Sequence, residues 1–357
     1  MKRKIIILVL GIYGSGPFTL AQNVAPATEE IIKQTDFSVP SSPAFLLLDA
    51  NPSQVNRPGF VKDFKFDWVF QGQGLNPNIA IEAQPIWLFF YDNVSLSEYQ
   101  KQNFILRALS TTTVSLGTVD RDSVQSLAYS LKITLFNSAD PMMDNDFINR
   151  YAPTTDGMNE HQRIAEIDFQ LARDTSLTPG QFAQLTQERD SLRRVLNEMD
   201  SLENLNRKQV WIDYQNQHWN ASALDVGFGQ VFDYSADRLD QLGLARKGTG
   251  VWVNGALGFG RQKNKWLLGG LFKLINYDDT EYTYGLNLRY GSARLNIFAE
   301  SVWLQTDENT ITTFAYGGDY RLNPKVFLQV AIRTEYNEDF NLQKLLPRVN
   351  VKWAMNR

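Results

Sequence analysis

The sequence predicts an all-β protein, a transmembrane antiparallel up-and-down β-barrel of about 12 strands, with an α-helical hairpin inserted between two strands. Three observations predict this fold. Polar and apolar residues alternate strictly in the C-terminal half, aromatic residues fall at the ends of the alternating segments, and short turns there alternate with longer loops. Strict alternation is typical of a strand with one apolar face and one wet face.

The first 21 residues have the three-part layout of an export signal. Lys2, Arg3 and Lys4 are followed by the apolar run 5–13, and small residues precede a cleavage position near Ala21. The apolar run is far shorter than the roughly 20 residues of a spanning helix. Removal of the three signal cations would change the net charge from −4 to −4 − 3 = −7.

Composition excludes several classes of function. The chain has no cysteine, so it has no disulfide framework and no thiolate metal site, and we expect no cofactor. Its acidic charge disfavours nucleic-acid binding, which depends on phosphate neutralisation. The 14 Tyr, 22 Phe and 8 Trp suit the aromatic girdles of a membrane barrel, whose lipid would be the first partner.

The pattern along the chain predicts five regions. They are a signal peptide (1–21), a proline-rich periplasmic leader (22–59), barrel strands 1–4 (60–137), a helical insert (138–217) and barrel strands 5–12 (218–357). Among the twelve strands, the second (78–91, interrupted by Pro85) and the short first are the least secure, and the third is predicted over 102–117. The apolar island 44–48 in the leader needs cover, from the barrel mouth, from the helical insert or from another protein.

The alternating strands divide their residues into two faces. Within 282–290 one face reads Tyr, Tyr, Leu, Leu, Tyr, while the other carries Thr283, Gly285, Asn287 and Arg289. Aromatic residues at the strand ends predict the two membrane interfaces, where an apolar ring carries a polar atom. These predicted interface residues are Trp266, Tyr282, Tyr290, Trp303, Tyr320, Tyr336 and Trp353.

The opposite, wet faces would line the lumen. Charges of both signs could border a narrow aqueous path or pair across the lumen and close it. The predicted lumen-lining residues are Glu82, Arg107, Lys132, Lys273, Arg289, Glu300, Arg321, Arg333 and Glu335.

The insert changes period from two to that of a helix. Thr178-Pro179-Gly180-Gln181 is typical of a helix start, and the following helix is predicted to end near Arg207. Counting strands places the insert on the same side as both termini, which is the periplasm if the short turns face inward. Residues 158–208 are then a candidate docking arm for an envelope protein, or a hairpin packed on its own barrel.

The sequence gives little indication of a catalytic site or a metal site. His218 and Ser222 invite comparison with barrel phospholipases, but no orienting partner or further motif accompanies them. Asp140, Asp144 and Asp146 form an acidic turn that suits helix capping better than calcium. We predict no catalytic, cofactor or metal residues.

The export signal, the alternating strands and the final strand 349–353 resemble those of Gram-negative outer-membrane barrel proteins as a class. The resemblance implies a location in the outer membrane. The function we expect is a small channel, or a structural component of an envelope or secretion assembly that acts through the helical insert. The alternatives are a barrel-embedded lipid hydrolase and a soluble secreted β-protein with a helical arm.

Overall fold

The structure is a computed structural model that describes most of the chain from residue 40 onward. The described ranges are 40–57, 59, 64–71, 78–91, 94–121, 124–151, 158–173, 177–235, 243–261, 264–277, 279–323 and 325–355. The predicted export signal and the first part of the predicted leader, residues 1–39, lie outside these ranges.

Within the described residues, twelve antiparallel strands close into one barrel, in which successive strands pair and β1 pairs with β12. The strands are β1 (Phe64–Gln71), β2 (Asn78–Ala83), β3 (Thr113–Arg121), β4 (Val124–Asn137), β5 (Ala223–Ser235), β6 (Gly243–Arg261), β7 (Asn264–Asn276), β8 (Thr280–Gly291), β9 (Leu295–Gln305), β10 (Thr310–Arg321), β11 (Val326–Tyr336) and β12 (Leu342–Met355). Closure leaves no strand edge unpaired, which a sheet surrounded by lipid requires. The predicted fold class and strand number are confirmed.

Helices lie before the barrel, between β2 and β3, and between β4 and β5. They are α1 (Pro43–Leu47), a one-turn π-helix (Trp87–Tyr91), α2 (Leu96–Lys101), α3 (Phe104–Ser110), α4 (Asn145–Tyr151), α5 (Met158–Arg173) and α6 (Pro179–His218). In the described part of the chain, none of these helices combines the length and the apolar character needed to span a membrane.

Strand direction gives the barrel two different ends. The helix end carries the start of β1, the end of β12, both helical connections and the turns after β6, β8 and β10. The loop end carries all the other connections between strands. Because the strand number is even, the chain enters and leaves the barrel at the helix end, and the insert lies at that end as the strand count predicted.

The boundaries of two predicted strands, 78–91 and 102–117, are wrong at the helix end of the barrel. β2 stops at Ala83, two residues before Pro85, and β3 starts only at Thr113. Proline has no backbone N–H for the strand ladder, which explains the early stop. Short apolar runs do not distinguish a strand from a helix by themselves, which explains the error in β3.

Local capping explains why the segment before β3 is helical. The side chain of Asn103 accepts a hydrogen bond from the backbone N–H of Leu106 at 2.9 Å and caps α3. Ser95 and Glu98 form a capping box at α2, in which each side chain bonds the other residue's backbone N–H. These caps satisfy amides that would otherwise have no partner at a helix start.

The insert is helical, as predicted, but its second helix is longer. Thr178 and Gln181 form the expected capping box, with the Thr178 N–H 3.0 Å from the Gln181 Oε1. α6 continues past Arg207 to His218, a length of 40 residues, or roughly 60 Å. The additional turns carry Val210 and Tyr214, which are buried in an aromatic cluster at the base of the insert.

That cluster, called the foot below, joins the two helical connections. The rings of Phe147 and Tyr214 have centroids 4.4 Å apart, and Trp87 and Tyr91 stack at 5.7 Å. Tyr99 donates a hydrogen bond from its hydroxyl to Asp140 at 2.9 Å. The remaining members of the foot are Leu96, Met142, Ile148, Tyr151 and Val210.

The last turn of α6 is fastened to the barrel rim. Lys265 on β7 donates to the backbone carbonyl of Asn216 at 2.9 Å and also to that of Gln217. Arg321 at the end of β10 donates to the side chain of Gln215. A cation beside the last carbonyls of a helix offsets the negative end of its dipole. The insert therefore starts from a fixed position on the helix end.

The predicted contrast between short turns and long loops is weaker than expected. The sequence pattern also predicts a longer loop over 233–249, but much of this range is strand, because β5 continues to Ser235 and β6 begins at Gly243. β5 and β6, with 13 and 19 residues, extend into this range and shorten the loop that joins them. The longest connections are the two helical ones at the helix end.

The outer surface of the barrel is apolar on every side. Its large exposed side chains include Ile79, Ile81, Val114, Leu116, Tyr129, Phe228, Val251, Val253, Leu257, Leu268, Phe272, Leu286, Leu288, Ile297, Phe314, Tyr316, Val330 and Trp353. They come from β2 to β12 and alternate with buried residues, as the pattern of β8 illustrates. This is the surface that a transmembrane barrel presents to lipid, and we call it the apolar belt.

Candidate functional site

Described residues that precede β1 occupy the lumen. We call residues 40–57 and 59 the plug; all of them are buried except Asp49 and Arg57. The plug begins beside Lys65, near the helix end of β1, and its tip at Asp49 lies beside Arg333, near the loop end of β11. It then returns to the helix end. The plug therefore enters and leaves the barrel through the same mouth.

The apolar island of the leader forms the core of the plug. Ala44, Phe45, Leu46 and Leu47 of α1 are nearly inaccessible. They pack against small and apolar residues that face inward from the wall, namely Val69, Ala80, Val119, Ala128, Val231, Trp252, Leu271 and Ile275. Of the three covers considered for this island, the barrel lumen is the one the structure shows.

Charged residues on β1 and β2 hold the start of the plug. Lys65 donates to the Pro40 carbonyl at 2.6 Å and forms ion pairs with Glu82 at 2.5 Å and Asp67 at 3.4 Å. Asp67 accepts the backbone N–H of Ser42 at 2.7 Å. A buried charge costs free energy unless an opposite charge lies beside it. In this group Lys65 lies beside both carboxylates while the group binds the backbone of the plug.

The tip of the plug is the C-terminus of α1, which two arginines hold. Asp49 follows α1 with a φ of 52°, and the Ala50 N–H donates to the Phe45 carbonyl at 3.0 Å, as in a Schellman motif. The Asp49 carboxylate lies 2.8 Å from Arg333 and 3.9 Å from Arg348. Arg348 also donates to the Asp49 carbonyl at 2.8 Å.

Glu300 on β9 holds the returning half of the plug. It accepts the backbone N–H groups of Gln54 at 2.8 Å and Val55 at 3.0 Å, and the hydroxyl of Ser53 at 2.6 Å. Asn287 on β8 adds a fourth donor at 3.0 Å. One carboxylate therefore accepts three hydrogen bonds from the plug, and we call Glu300 the latch.

Further polar contacts hold the plug where it leaves the lumen. Asn254 donates to the Asn56 carbonyl at 2.8 Å, and Asp225 accepts the Gly59 N–H at 3.3 Å. Lys132 donates to the Gly59 carbonyl and lies 3.7 Å from Asp225. The wall thus binds plug backbone at both ends of the segment as well as at its tip.

Small cavities lie between the described part of the plug and the wall below the plug tip. Two cavities between plug and wall on the helix-end side have volumes of about 30 and 10 Å³. Spaces of this size hold single waters rather than a solute path. A larger cavity of about 690 Å³ lies at the loop end, with Leu47, Leu48 and Asp49 of the plug as its floor.

Some polar groups at the plug surface have no hydrogen-bond partner within the described residues. They include the side-chain amides of Asn51 and Gln54 on the plug and of Asn350 on β12. Unsatisfied buried polar groups cost free energy, of order 1–3 kcal/mol each. The plug is therefore held by strong local contacts, but its interface is less completely paired than a protein core.

Six of the residues predicted to line the lumen lie on the inner wall and are buried: Glu82, Lys132, Lys273, Arg289, Glu300 and Arg333. Arg289 lies 2.5 Å from Asp319 and donates to Ser53 at 3.1 Å. Lys273 donates to the Leu46 carbonyl at 3.1 Å. Instead of facing open water, these side chains pair with each other or with the plug.

The other three predicted lumen residues lie elsewhere. Arg321 and Glu335 are half-buried at the two mouths, where Arg321 meets α6 and Glu335 lies 3.9 Å from Arg333. Arg107 is a correction, because it belongs to α3 outside the wall and contacts the Met143 sulfur at 3.0 Å. It was assigned to the lumen because residues 102–117 were interpreted as a strand.

The prediction missed Lys65, Asp67 and Arg348, which contact the plug. Lys65 and Asp67 alternate with Phe64, Phe66 and Trp68, so the period-two pattern of β1 would have found them. Arg348 follows a proline, which obscured the alternation of β12.

The predicted interface aromatics form two groups at opposite ends of the strands. Trp266, Tyr290, Tyr320 and Trp353 lie toward the helix end, whereas Tyr282, Trp303 and Tyr336 lie toward the loop end. Trp266 and Tyr290 are cross-strand partners with ring centroids 4.6 Å apart. Trp353 stacks on Trp68, which is not among the predicted interface residues.

The residues considered for lipid hydrolysis make structural contacts. His218 contacts the Tyr214 carbonyl through its Nδ1 at 3.1 Å and packs on the Tyr214 ring. The Ser222 hydroxyl accepts the Gly258 N–H at 2.9 Å, and Asn220 donates to two strand carbonyls. These contacts fix the junction of α6 with β5, so they give no support to a base and nucleophile pair.

The acidic turn has the capping role expected of it. Asp140 accepts the Met142 N–H at 3.0 Å, and Asp144 accepts the Phe147 N–H at 3.0 Å at the start of α4. Across the described ranges, no cluster of three or more acidic or histidine side chains has an arrangement that could hold a metal ion.

Comparison with known proteins gives similarity of fold only. No family model and no curated protein matches the sequence. Among solved structures, the chain is similar to the KdgM porin, with 7% identity and a TM-score of 0.33 over 82% of this chain and 98% of that chain. The same four values apply to outer membrane protein Omp33 of Acinetobacter baumannii.

The CymD monoaromatic hydrocarbon channel is also similar, with 6% identity and a TM-score of 0.31 over 83% of this chain and 90% of that chain. The class-level resemblance to outer-membrane barrels in fold rests on the closed barrel of twelve described strands in this chain. Similarities this weak transfer no function, so only the residues of this chain can indicate what it does.

Proposed function

We propose that this protein is an outer-membrane channel whose lumen is closed at rest by its own plug. The observation that carries the proposal is the latch, where Glu300 accepts the backbone N–H groups of Gln54 and Val55. A wall that binds plug backbone through a few charged groups can release it as a unit. The apolar belt and the polar inner wall support a membrane location and a lumen that could be wetted.

The plug interface favours a movable segment over a permanent core. Its apolar contacts come mainly from α1 and the adjoining Leu48 and Ala50, whereas the returning half contributes Val55 and is otherwise held by polar contacts. Asn51 and Gln54 gain no hydrogen bond from their side chains in the described lumen. Both groups would be hydrated once the plug moves, which lowers the cost of displacement.

The proposed orientation places the helix end in the periplasm. After removal of the export signal near Ala21, the leader would reach the plug from that side, because Pro40 lies beside Lys65 at the helix end. A periplasmic partner that binds the leader could then pull on the plug. The loop-end cavity above Leu47 and Leu48 would face the outside.

Conductance in a planar bilayer tests the channel. We expect the native protein to be almost silent and Glu300→Ala to open frequently, because the substitution leaves four donors without their acceptor. Glu308→Gln, on the exposed β9–β10 loop, is a matched control that should remain silent. Slower migration of the boiled protein than of the unheated protein on a gel would verify that each variant is folded.

The proposal is wrong if folded Glu300→Ala and Gly269→Ala barrels both remain silent. The second variant displaces the plug by steric conflict rather than by loss of charge, because its new Cβ would lie 2.8 Å from Val55. Silence of both would indicate a barrel that stays closed and serves a structural role.

A second candidate function, docking of an envelope protein through residues 158–208, is favoured by exposed apolar residues on the arm. Phe182, Leu202 and Leu205 on α6 are at least half exposed, although α5 and α6 are joined by the ion pairs Arg163–Glu188 and Arg193–Asp168. Leu202 and Leu205 are three residues apart on one face of α6, and neighbouring large apolar side chains that face water are typical of an unpartnered binding surface.

Site-specific photo-cross-linking in cells tests the arm. A cross-linker that replaces Leu205 should join one defined envelope protein, and Leu202→Ser should abolish the product. A cross-linker at Arg194, an exposed position on the same helix, should give none. Equal products from both positions, or none from Leu205, would exclude docking through this surface.

A further inference from the structure

The connection between β2 and β3 carries a second exposed apolar surface, outside the barrel. Phe89 and Phe90 of the π-helix are 77% and 70% exposed, and Phe104 and Ile105 of α3 are 55% and 65% exposed. Leu109 on α3 is also exposed. We call these five residues the apolar patch. In water such a concentration of bare aromatic and aliphatic side chains is unfavourable.

The patch is held in place by buried residues next to its members in the sequence. Trp87 and Tyr91, on either side of Phe89 and Phe90, are buried in the foot. The Tyr91 hydroxyl donates to the Leu106 carbonyl at 2.7 Å and ties the π-helix to α3. The exposed rings therefore project from a packed base, and they belong to well-anchored turns rather than to a frayed segment.

The patch is continuous with the apolar belt. α3 leads directly into β3, whose outward residues Val114 and Leu116 are exposed parts of the belt. Phe104 also lines a groove of about 660 Å³ together with Leu135 and Phe136 of β4. Phe136 is 51% exposed on the outer wall. A membrane that covers the belt would reach the patch along α3, where exposed Leu109 is followed by exposed Val114 at the start of β3.

We propose that the apolar patch inserts into the lipid leaflet at the helix end and anchors the foot to the membrane surface. The inference rests on the proposed membrane location. We propose lipid, and not a partner protein, as the cover of the patch, because the patch extends the lipid-facing wall. The charged side chains nearby suit this depth, since Lys101 ends α2 and Arg107 lies on α3, where cations can reach lipid phosphates.

The absence of cysteine from the sequence makes single-cysteine labelling direct. Phe90→Cys, Leu286→Cys and Glu198→Cys would each carry one environment-sensitive fluorophore, in protein reconstituted into phosphatidylcholine vesicles. The vesicles would contain nitroxide lipids with the quencher at the headgroup or deep in the acyl chain. Leu286 lies in the apolar belt, and Glu198 is exposed on the arm, so these two positions are the lipid and water references.

We expect the Phe90→Cys label to be quenched about twofold or more by the headgroup nitroxide and less by the deep one, as for an interfacial side chain. The Leu286→Cys label should show the opposite depth preference, and the Glu198→Cys label neither. Phe104→Cys on α3 gives a second reporter that should match Phe90→Cys.

The outcomes separate this inference from the proposed function. Quenching at Leu286→Cys without quenching at Phe90→Cys and Phe104→Cys would overturn the inserted patch and leave the membrane barrel intact. That result would also be expected if a protein covered the patch. Absence of quenching at all positions would contradict the membrane location itself.

Discussion

At the residue scale, the tip of the plug depends on Asp49, which meets two separate requirements. Its φ of 52° lies in the left-handed region, which aspartate tolerates better than most residues. Its carboxylate lies between Arg333 and Arg348, which are both buried. A glycine would satisfy the backbone alone, and only an acidic side chain also neutralises the two guanidinium groups.

Asp49→Asn separates these requirements, because asparagine keeps the backbone tolerance and removes the charge. We expect a Gln54→Cys reporter in the plug to react with a water-soluble maleimide about tenfold faster in this background, since charge-assisted hydrogen bonds contribute about 1.5–3 kcal/mol. Asp307→Asn on an exposed loop should leave the rate unchanged. An unchanged rate in Asp49→Asn would show that the ion pairs do not retain the plug.

Adjacent glycines on β7 give a steric test of the same contact. A Cβ at Gly269 would lie 2.8 Å from the Val55 Cγ1 of the plug, whereas a Cβ at Gly270 meets no atom within 4 Å. Overpacking costs about 1–3 kcal/mol, so Gly269→Ala should speed maleimide labelling at Gln54→Cys about tenfold or more. Gly270→Ala should have no effect, and equal rates in the two variants would place Val55 elsewhere.

At the element scale, the foot joins helices from two separate connections through tyrosines. Burial raises the pKa of Tyr99 far above its ordinary value of 10.0, with Asp140 contributing, and burial likewise raises the pKa of Tyr214. A raised folded-state pKa means that the neutral phenol is favoured in the folded form. Stability from these groups is complete below about pH 10 and decreases as the pH rises above it.

We therefore expect the foot to loosen above about pH 10 while the barrel remains closed. The measurement is limited proteolysis of the insert across a pH series, with heat-modifiable migration as the control for the barrel. Tyr99→Phe removes one ionisable group, so its insert should resist proteolysis to a higher pH than the native insert does. A simultaneous loss of both signals would show that the foot and the barrel unfold as one unit.

Elements differ in how far the sequence could predict them. β7 to β12 follow from alternation because each of these strands has one lipid-facing and one inward face. The segment between Pro85 and Thr112 carries apolar residues for a different reason, the foot and the patch, so its pattern imitates a strand. α6 was predicted from its cap, but its end at His218 depends on tertiary contacts of Tyr214 that no local signal shows.

At the scale of the whole molecule, the plug is the feature that the sequence could not predict. Alternation identified Glu300 and Arg333 as inward-facing, and the island 44–48 as apolar and in need of cover. Alternation could not place the plug against these two side chains, because Gln54 is 246 residues from Glu300 and Asp49 is 284 residues from Arg333 along the chain. Long-range pairing of this kind leaves no periodic pattern in either segment.

The most direct test of the closed barrel is a disulfide between plug and wall. The hydroxyls of Ser42 in the plug and Ser115 on β3 are in hydrogen-bond contact, and the chain has no cysteine of its own. We expect Ser42→Cys/Ser115→Cys to form an intrachain disulfide on mild oxidation of the folded barrel, detected by mass spectrometry. Ser42→Cys/Ser301→Cys should not, because Ser301 lies on β9 outside that contact. A folded barrel in which the thiols of the first pair remain free would contradict the plugged lumen.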